Sequence, residues 1–176
     1  MQLRSLKRFI LKLLRKDLVQ FDIEGYRKSG MKIGGGCRIF SRLNTDEPYL
    51  IEIGDRVTIS TGVSLITHDN SAIKVFSSGT DFVGKIKIGR DCFIGANTTI
   101  LPGVSIAPNV IVGAGSVVTK SFLTAGVVIA GNPARIVGSV SSVREKYSDN
   151  VFDFSGDRRK QKKDIILNNS ERYIKK

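Results

Sequence analysis

The sequence is poor in the residues that build metal sites and disulfides, with one histidine (His68) and two cysteines among 176 residues. Zinc sites need several His or Cys ligands close together. Cys37 and Cys92 stand far apart without a CxxC motif, which disfavours both a zinc site and a disulfide framework. We therefore expect no bound metal, and we expect both cysteines to be small core residues. Only 4 prolines accompany 18 glycines, which excludes a collagen-like or proline-rich chain.

Long hydrophobic runs are also missing. No apolar stretch approaches the roughly 18 residues that a membrane-spanning helix needs. Lys or Arg interrupts every apolar run of residues 3–17, unlike the core of a signal peptide, so we expect a cytoplasmic protein. Residues 3–19 place leucines and Ile10 at helical spacing with basic residues between them, which predicts a basic amphipathic helix. Such a helix either caps the open end of a repeat fold, which we favour, or lies on the inner face of the membrane.

Acidic residues are too few to balance the basic ones, and the formal net charge is +12. The excess lies at the ends: residues 1–30 carry eight Lys or Arg against three acids, and residues 139–176 carry ten against six. A basic periphery favours contact with phospholipid, an acidic polysaccharide or nucleic acid, or simply keeps the protein in solution. We expect no nucleic-acid partner, because aromatic residues are not interleaved with the basic runs as stacking platforms.

The most regular feature of the sequence is a period of six residues. From Ile88 to Leu123 the chain divides into six hexads that each begin with Ile or Val, and four of them have Gly or Ala in second place. The fifth place holds small or β-branched residues, with Cys92 and Phe122 as the two departures. The pattern recurs upstream from Ile53 and, more weakly, from Ile33. This period fits neither a helix nor an alternating strand. It predicts short strands joined by tight turns around a prism, with the first and fifth places inward and Gly where the backbone packs closely.

The six-residue rhythm slips in two places. Leu65 and Ile88 are separated by 23 residues, which is not a multiple of six. Residues 69–84 are therefore predicted to form a loop that projects from the prism, and such excursions often carry function. A second slip surrounds residues 45–49.

The repeat also sets the predicted organisation of the chain. It stops after Pro133, and residues 139–176 are polar and basic, which predicts a short helix or a loosely ordered basic tail. We therefore divide the chain into an N-terminal amphipathic helix (1–30), a prism (31–138) and a C-terminal basic extension (139–176).

The hexads and three local motifs carry a family resemblance. The motifs are T61-G-V-S-L-I-T-H-D69, I94-G-A-N-T-T-I-L-P-G-V104, and V112-G-A-G-S-V-V-T-K120 followed by G131-N-P-A-R135. The sequence resembles the left-handed β-helix, hexapeptide-repeat acyltransferases, and among them the maltose/galactoside and polysaccharide O-acetyltransferases. This resemblance covers residues 31–138 and implies an all-β fold, a left-handed parallel β-helix. It also implies a homotrimer with acetyl-CoA, the acyl donor, in the groove between adjacent prisms.

His68 is the candidate general base. As the fourth residue of its hexad it should point away from the core, and an imidazole titrates in the range needed to take a proton from a hydroxyl. The resemblance places the family's catalytic histidine here, directly before the loop. The ring needs an orienting acceptor: Asp69 is next in sequence, whereas Asp46 or Glu47, at the other slip, would serve if stacking brings them close. The alternative is a plain surface histidine.

The remaining predicted site residues rest on the resemblance. Asn44 would add a side-chain amide to the backbone N–H groups that stabilise an oxyanion, whereas Asn97, a second candidate, is better explained as a turn residue. The small residues expected along acetyl-CoA allow close approach, and the cations pair with its phosphates, although surface cations and aromatic packing are the alternatives. These residues are Phe93, Ala96, Gly113, Ala114, Lys120 and Arg135.

We predict an acetyl-CoA-dependent O-acetyltransferase that acts on a carbohydrate hydroxyl, such as that of a sugar or a cell-surface polysaccharide precursor. Transfer to a sugar-nucleotide amine or an antibiotic stays open, as does a non-catalytic structural subunit built from the same repeat. A serine acetyltransferase would need a long N-terminal helical domain. A γ-type carbonic anhydrase needs three histidines on zinc, which one histidine per chain cannot supply.

Overall fold

Short strands dominate the computed structural model, which describes residues 18–154 and 159–174. The helices are α1 (Leu18–Lys28), α2 (Val140–Lys146) and α3 (Arg159–Leu167), and short 3-10 turns cover Pro48–Leu50, Asn70–Lys74, Ser148–Asn150 and Ser170–Arg172. The strands, in chain order, are β1 (Lys32–Ile33), β2 (Arg38–Ile39), β3 (Ile51–Ile53), β4 (Thr58–Ile59), β5 (Ser64–Leu65), β6 (His68–Asp69), β7 (Phe82–Val83), β8 (Ile86–Ile88), β9 (Phe93–Ile94), β10 (Thr99–Ile100), β11 (Ser105–Ile106), β12 (Ile111–Val112), β13 (Val117–Val118), β14 (Val127–Gly131) and β15 (Ala134–Ser139).

Three parallel sheets form the faces of a prism, and successive turns of the chain add strands to the same three faces. The first sheet has the order β1-β3-β8-β11, the second runs β2-β4-β9-β12-β14 and the third β5-β10-β13. Strands of one sheet stack in register, so that Ile94 lies between Ile59 and Val112. Strand β15 then turns back along β14 as its antiparallel neighbour. The predicted β-helical prism is thus the observed architecture.

The core follows the hexad positions. Every first and fifth place from residue 88 to 122 is at most 7% exposed, including the polar Thr98 and Ser116. Thr98 donates to the Gly113 carbonyl at 3.2 Å and Ser116 donates to the same carbonyl at 2.6 Å, so both hydroxyls are satisfied inside. Cys37 and Cys92 are buried free thiols, as predicted.

Glycine in second place lets successive coils approach closely. A Cβ added to Gly89 would lie 2.5 Å from the Pro108 nitrogen, and one on Gly95 would lie 2.5 Å from the Ala114 nitrogen. No real Cβ tolerates such a distance from backbone, so positions 89 and 95 require glycine. Asn97 adopts a φ of 58°, which supports its interpretation as a turn residue.

The longer slip in the rhythm is a hairpin that leaves the prism. Strands β6 and β7 pair antiparallel, with His68 opposite Val83 and Asp69 opposite Phe82. The Gly84 N–H donates to the Thr67 carbonyl at 2.9 Å, so the chain rejoins the stack beside the point where it left. The predicted excursion is confirmed, but it contains a strand pair and a 3-10 turn where the sequence indicated only a loop.

Helix α1 closes the first end of the prism. Ile23 and Tyr26 belong to the same hydrophobic core as the coils. The Tyr26 hydroxyl donates to the Ser41 carbonyl and accepts from the Leu43 N–H, both at 3.2 Å. Helix α1 therefore caps the prism with residues 18–28, whereas the predicted amphipathic helix spans residues 3–19, of which 3–17 lie outside the described residues. Among the described helices none is long and apolar enough to cross a membrane.

The C-terminal extension begins with helix α2. Ser139 caps it through a reciprocal capping box with Ser142. Farther on, Asn150 donates to the Arg172 carbonyl at 2.8 Å, which ties the chain before α3 to the turn after it. Described residues after 139 therefore form short helices rather than only a loose tail.

Candidate active site

His68 lies at the corner where the chain passes from the third sheet toward the first. Its backbone belongs to β6, and its side chain is 39% exposed, so the ring is open to solvent on one side. On its other side the ring nitrogen Nδ1 lies 2.9 Å from Oε2 of Glu47. The fourth place of the hexad does point the side chain away from the core, as predicted.

Glu47 reaches this corner from the neighbouring coil. It stands directly before the 3-10 turn Pro48–Leu50, within the shorter of the two slips. The Thr67 hydroxyl donates to the same carboxylate oxygen, Oε2, at 2.6 Å, and Thr67 in turn lies 2.6 Å from the Thr45 hydroxyl. The two places where the six-residue rhythm fails are therefore adjacent in space, and together they form this cluster.

The cluster shifts the titration of both partners. The hydrogen bond to Glu47, together with its negative charge, raises the pKa of His68 above the ordinary imidazole value. The Thr67 hydroxyl and then the His68 ring lower the pKa of Glu47. An ionised carboxylate only accepts hydrogen bonds, so Nδ1 of His68 carries a hydrogen. The other ring nitrogen, Nε2, is then left with a lone pair that can accept a proton.

The structure corrects the expectation that Asp69, the sequence neighbour, orients the ring. The Asp69 carboxylate accepts the Ser71 N–H at 2.8 Å and caps the turn Asn70–Lys74. Asp46 is exposed and acts on the ring only through its charge. Of the three carboxylates considered, Glu47 is the one that contacts the imidazole.

Asn44 lies on the segment that also carries Thr45 and Glu47, and its side chain is exposed. The contact between Thr45 and Thr67 brings this segment against the coil of His68. An oxyanion role for Asn44 remains a prediction.

The residues predicted to line acetyl-CoA divide between two corners of the prism. Lys120 follows β13 in the third sheet, as His68 follows β5, so both lie beyond the same edge. Ala96 and Ala114 follow β9 and β12 of the second sheet. They share the corner between the second and third sheets, where the Gly115 N–H donates to the Ala96 carbonyl at 2.8 Å. One chain therefore separates these two groups by the width of the third sheet.

The other predicted residues belong to the second sheet. Arg135 pairs with Ala130 at the end of β14, next to Gly113, whose N–H donates to the Ile129 carbonyl at 2.8 Å. Phe93 is 44% exposed on the outer face of this sheet. Arg135 and Lys120 are exposed cations, and within the part of the chain that the structure describes neither forms an ion pair with a carboxylate.

Sequence reasoning missed Thr67 and Thr45. Thr67 occupies the third place of its hexad, which is exposed or half-buried in the hexads from residue 88 onward, yet it is 2% exposed. It is buried because the segment of Glu47 packs over it. No sequence signal marks that contact, since it depends on how the two slips meet.

Comparison with known proteins agrees with this geometry. The family described as "Bacterial transferase hexapeptide (six repeats)" matches residues 85–120. Protein CapG of Staphylococcus aureus is 40% identical over 152 residues, which cover 83% of this chain and 86% of the relative. The chain belongs to the hexapeptide-repeat transferases. The prediction of a hexapeptide-repeat acyltransferase is thereby confirmed.

Two further relatives of this hexapeptide-repeat transferase are named for sugar acetylation. Galactoside O-acetyltransferase of Escherichia coli K12 is 33% identical over 125 residues, which cover 69% of this chain and 61% of the relative. The crystal structure of a maltose O-acetyltransferase from Clostridium difficile 630 has a TM-score of 0.50 and 30% identity, and the match covers 61% of this chain and 56% of that one. The chain thus spans little more than half of these two proteins. The shared fold implies that the prism is a left-handed β-helix.

Proposed function

We propose that this hexapeptide-repeat transferase moves an acetyl group from acetyl-CoA to a hydroxyl of a carbohydrate, with His68 as the general base. The observation that carries the proposal is the Glu47–His68 pair, with Nδ1 held at 2.9 Å from a carboxylate. A histidine oriented in this way has one free basic nitrogen at an exposed corner. The galactoside and maltose O-acetyltransferases among the relatives support the choice of a sugar hydroxyl.

The proposed chemistry follows from that nitrogen. Nε2 of His68 takes the proton of the acceptor hydroxyl as its oxygen attacks the thioester carbonyl. Glu47 stabilises the imidazolium that forms, because the pair becomes an ion pair at that moment. Backbone N–H groups, with Asn44, stabilise the oxyanion. When the C–S bond breaks, the imidazolium returns its proton to the leaving sulfur, which restores neutral His68.

The predicted donor-binding residues suit a long anionic molecule. Lys120 and Arg135 are exposed cations that can pair with phosphate. Ala96 and Ala114 present small side chains on neighbouring coils, where an extended chain can lie against the backbone. Because these residues occupy two corners of one prism, we propose that the complete site forms between subunits of a homotrimer. The corner of His68 from one subunit would then face the small-residue corner of the next.

The hairpin β6–β7 is the proposed wall of the acceptor site. Phe76 and Phe82 contact each other edge to face, with ring centroids 6.0 Å apart, and both are about half exposed. Phe82 stands opposite Asp69, next to His68. Exposed aromatic faces beside polar groups are typical of sites that bind pyranose rings by stacking.

The test is release of free CoA thiol from acetyl-CoA with a panel of sugar and polysaccharide acceptors. We expect acceptor-dependent release by the wild type, and a loss of about 10²- to 10⁴-fold in kcat for His68→Ala. Lys28→Ala, an exposed change on the capping helix, serves as the matched control and should keep full activity. Acceptor-dependent release that survives His68→Ala would exclude His68 as the base, and an absence of CoA binding would favour a structural subunit.

A further inference from the structure

Three residues beside His68 form a closed ring of hydrogen bonds. The Glu47 N–H donates to the Thr45 hydroxyl at 3.2 Å, and the Thr45 and Thr67 hydroxyls are 2.6 Å apart. The Thr67 hydroxyl lies 2.6 Å from Oε2 of Glu47, which also receives Nδ1 of His68 at 2.9 Å. The ring therefore begins and ends at Glu47, with His68 attached to it.

The direction of each bond in the ring is fixed by its chemistry. A carboxylate can only accept, so Thr67 must donate its single hydrogen to Glu47. Thr67 then has no hydrogen left for Thr45, so Thr45 is the donor in that pair. Thr45 accepts the Glu47 backbone N–H with one lone pair of its hydroxyl oxygen. Every hydroxyl in the ring thus has one orientation, and rotation of either would break two hydrogen bonds.

Burial makes the arrangement hard to replace by water. Thr67 is 2% exposed, whereas the side chains of Glu47 and His68 are 21% and 39% exposed. The Glu47–His68 pair is thus partly open to solvent, whereas Thr67, which anchors it, is shielded from solvent. Without the Thr67 hydroxyl, the Glu47 side chain would be free to turn toward solvent. The described polar contacts of its carboxylate oxygens are those to Thr67 and His68.

We propose that Thr67 and Thr45 are positioning residues of the active site, which lock the Glu47 carboxylate against Nδ1 of His68 and so keep Nε2 free to act as the base. The inference rests on the proposed function for its catalytic meaning. Its geometric part concerns only the imidazole and can be measured without turnover.

Among the described residues, the charged groups that act on the imidazole of His68 are acidic, which simplifies the expected effect of Thr67→Val. Glu47 is in contact, while Asp46, Asp69 and Asp81 interact at longer range. Thr67→Val leaves all four charges in place and removes only the hydroxyl. If Glu47 is freed to turn toward water, the pKa of His68 falls toward its ordinary value, and the preference for hydrogen at Nδ1 weakens.

The experiment exploits the single histidine of the chain, because an NMR titration of the imidazole nitrogens in untagged protein reports on His68 alone. Wild type, Thr67→Val, Thr67→Ser and Thr45→Val are compared. We expect Thr67→Val and Thr45→Val to lower the titration midpoint and to shift the neutral tautomer away from hydrogen at Nδ1. Thr67→Ser keeps the hydroxyl and should behave like the wild type. A midpoint and a tautomer that stay unchanged in Thr67→Val would overturn the proposal.

Turnover and stability separate the inference from simpler explanations. We expect kcat to fall about 10- to 100-fold in Thr67→Val, as displaced catalytic groups cause, with recovery in Thr67→Ser. The double Thr45→Val/Thr67→Val variant should lose no more than the worse single variant, because both act through one carboxylate. A purely packing role for Thr67 would lower the melting temperature and leave the imidazole titration unchanged, which would contradict the inference. If Thr67→Val changes the imidazole titration but the wild type transfers no acyl group, the positioning role of Thr67 is supported and the proposed function is overturned.

Discussion

At the scale of single residues, the state of His68 is set by one neighbour. Glu47 holds hydrogen on one ring nitrogen and raises the pKa of the imidazole. A base works only in its neutral form, so the rate should rise with pH through that raised pKa. The acid limb of kcat/KM is therefore expected above the ordinary imidazole value of about 6.5.

Glu47→Gln tests this dependence. The substitution keeps an oxygen for Nδ1–H but removes the charge, so the pKa of His68 falls and the acid limb of kcat/KM moves to lower pH. The plateau at high pH should drop about 10- to 100-fold, because the imidazolium formed during transfer loses its counter-charge. The pH profile measures both effects. Asp46→Asn, which removes a more distant charge, should shift the limb less, and a limb that stays in place in Glu47→Gln would contradict the assignment.

Part of this cluster could be predicted from the sequence and part could not. The fourth place of its hexad was enough to predict that His68 points outward. The two slips in the period contained the candidate residues of the cluster, His68 and Glu47. The choice of Glu47 over Asp69 required the stacking of two coils. Thr45 and Thr67 could not be predicted, since their contact depends on the shape of two irregular segments that no repeat constrains.

At the scale of elements, the six-residue period predicts the position of the hairpin β6–β7 but not its secondary structure. Its length breaks the six-residue period, which is why the sequence predicts only a loop over residues 69–84. Only cross-strand pairing, such as Asp69 with Phe82, makes strands of it. The prism strands, by contrast, repeat the same buried places coil after coil, and their positions follow from the sequence.

Phe82→Ala tests the hairpin as the acceptor wall. Loss of an aromatic stacking face costs about 0.5–1.5 kcal/mol, so KM for the sugar should rise roughly 2- to 13-fold. KM for acetyl-CoA should stay unchanged, because the predicted donor residues lie on the prism and its end strands and not on the hairpin. Steady-state kinetics with each substrate varied in turn gives both values. Val75→Ala, also exposed in the excursion, is the control. An equal rise in both KM values would argue against an acceptor wall.

At the scale of the whole molecule, the prism is a stack in which each coil bonds only to its neighbours, so its ends need covers. Helix α1 supplies the first, with Ile23 1% exposed in the common core. The sequence predicted a cap from the general need of solenoids, but it placed the helix at residues 3–19 rather than at 18–28. It could not identify Tyr26 as the residue that satisfies the Ser41 carbonyl and the Leu43 N–H, because that match depends on the angle of the helix.

Ile23→Ala measures what the cap contributes. Removal of a buried isoleucine side chain leaves a cavity and costs about 2–5 kcal/mol of unfolding free energy. Chemical denaturation of Ile23→Ala, with the exposed Lys28→Ala as control, gives the value. A cost below about 1 kcal/mol would mean that the helix does not seal the stack.

The hydrogen bond between the Gly84 N–H and the Thr67 carbonyl has a consequence for evolution. It joins the two feet of the excursion, so the coil closes on itself whatever lies between them. Beyond His68, which directly follows the first foot, the segment can lengthen, shorten or be exchanged for another without disturbing the layers above and below. A lineage could thus change the acceptor by replacing this outer segment while it inherits His68, Thr67 and Glu47 intact. The same exchange can be made in the laboratory by grafting a foreign excursion after His68, between these two feet.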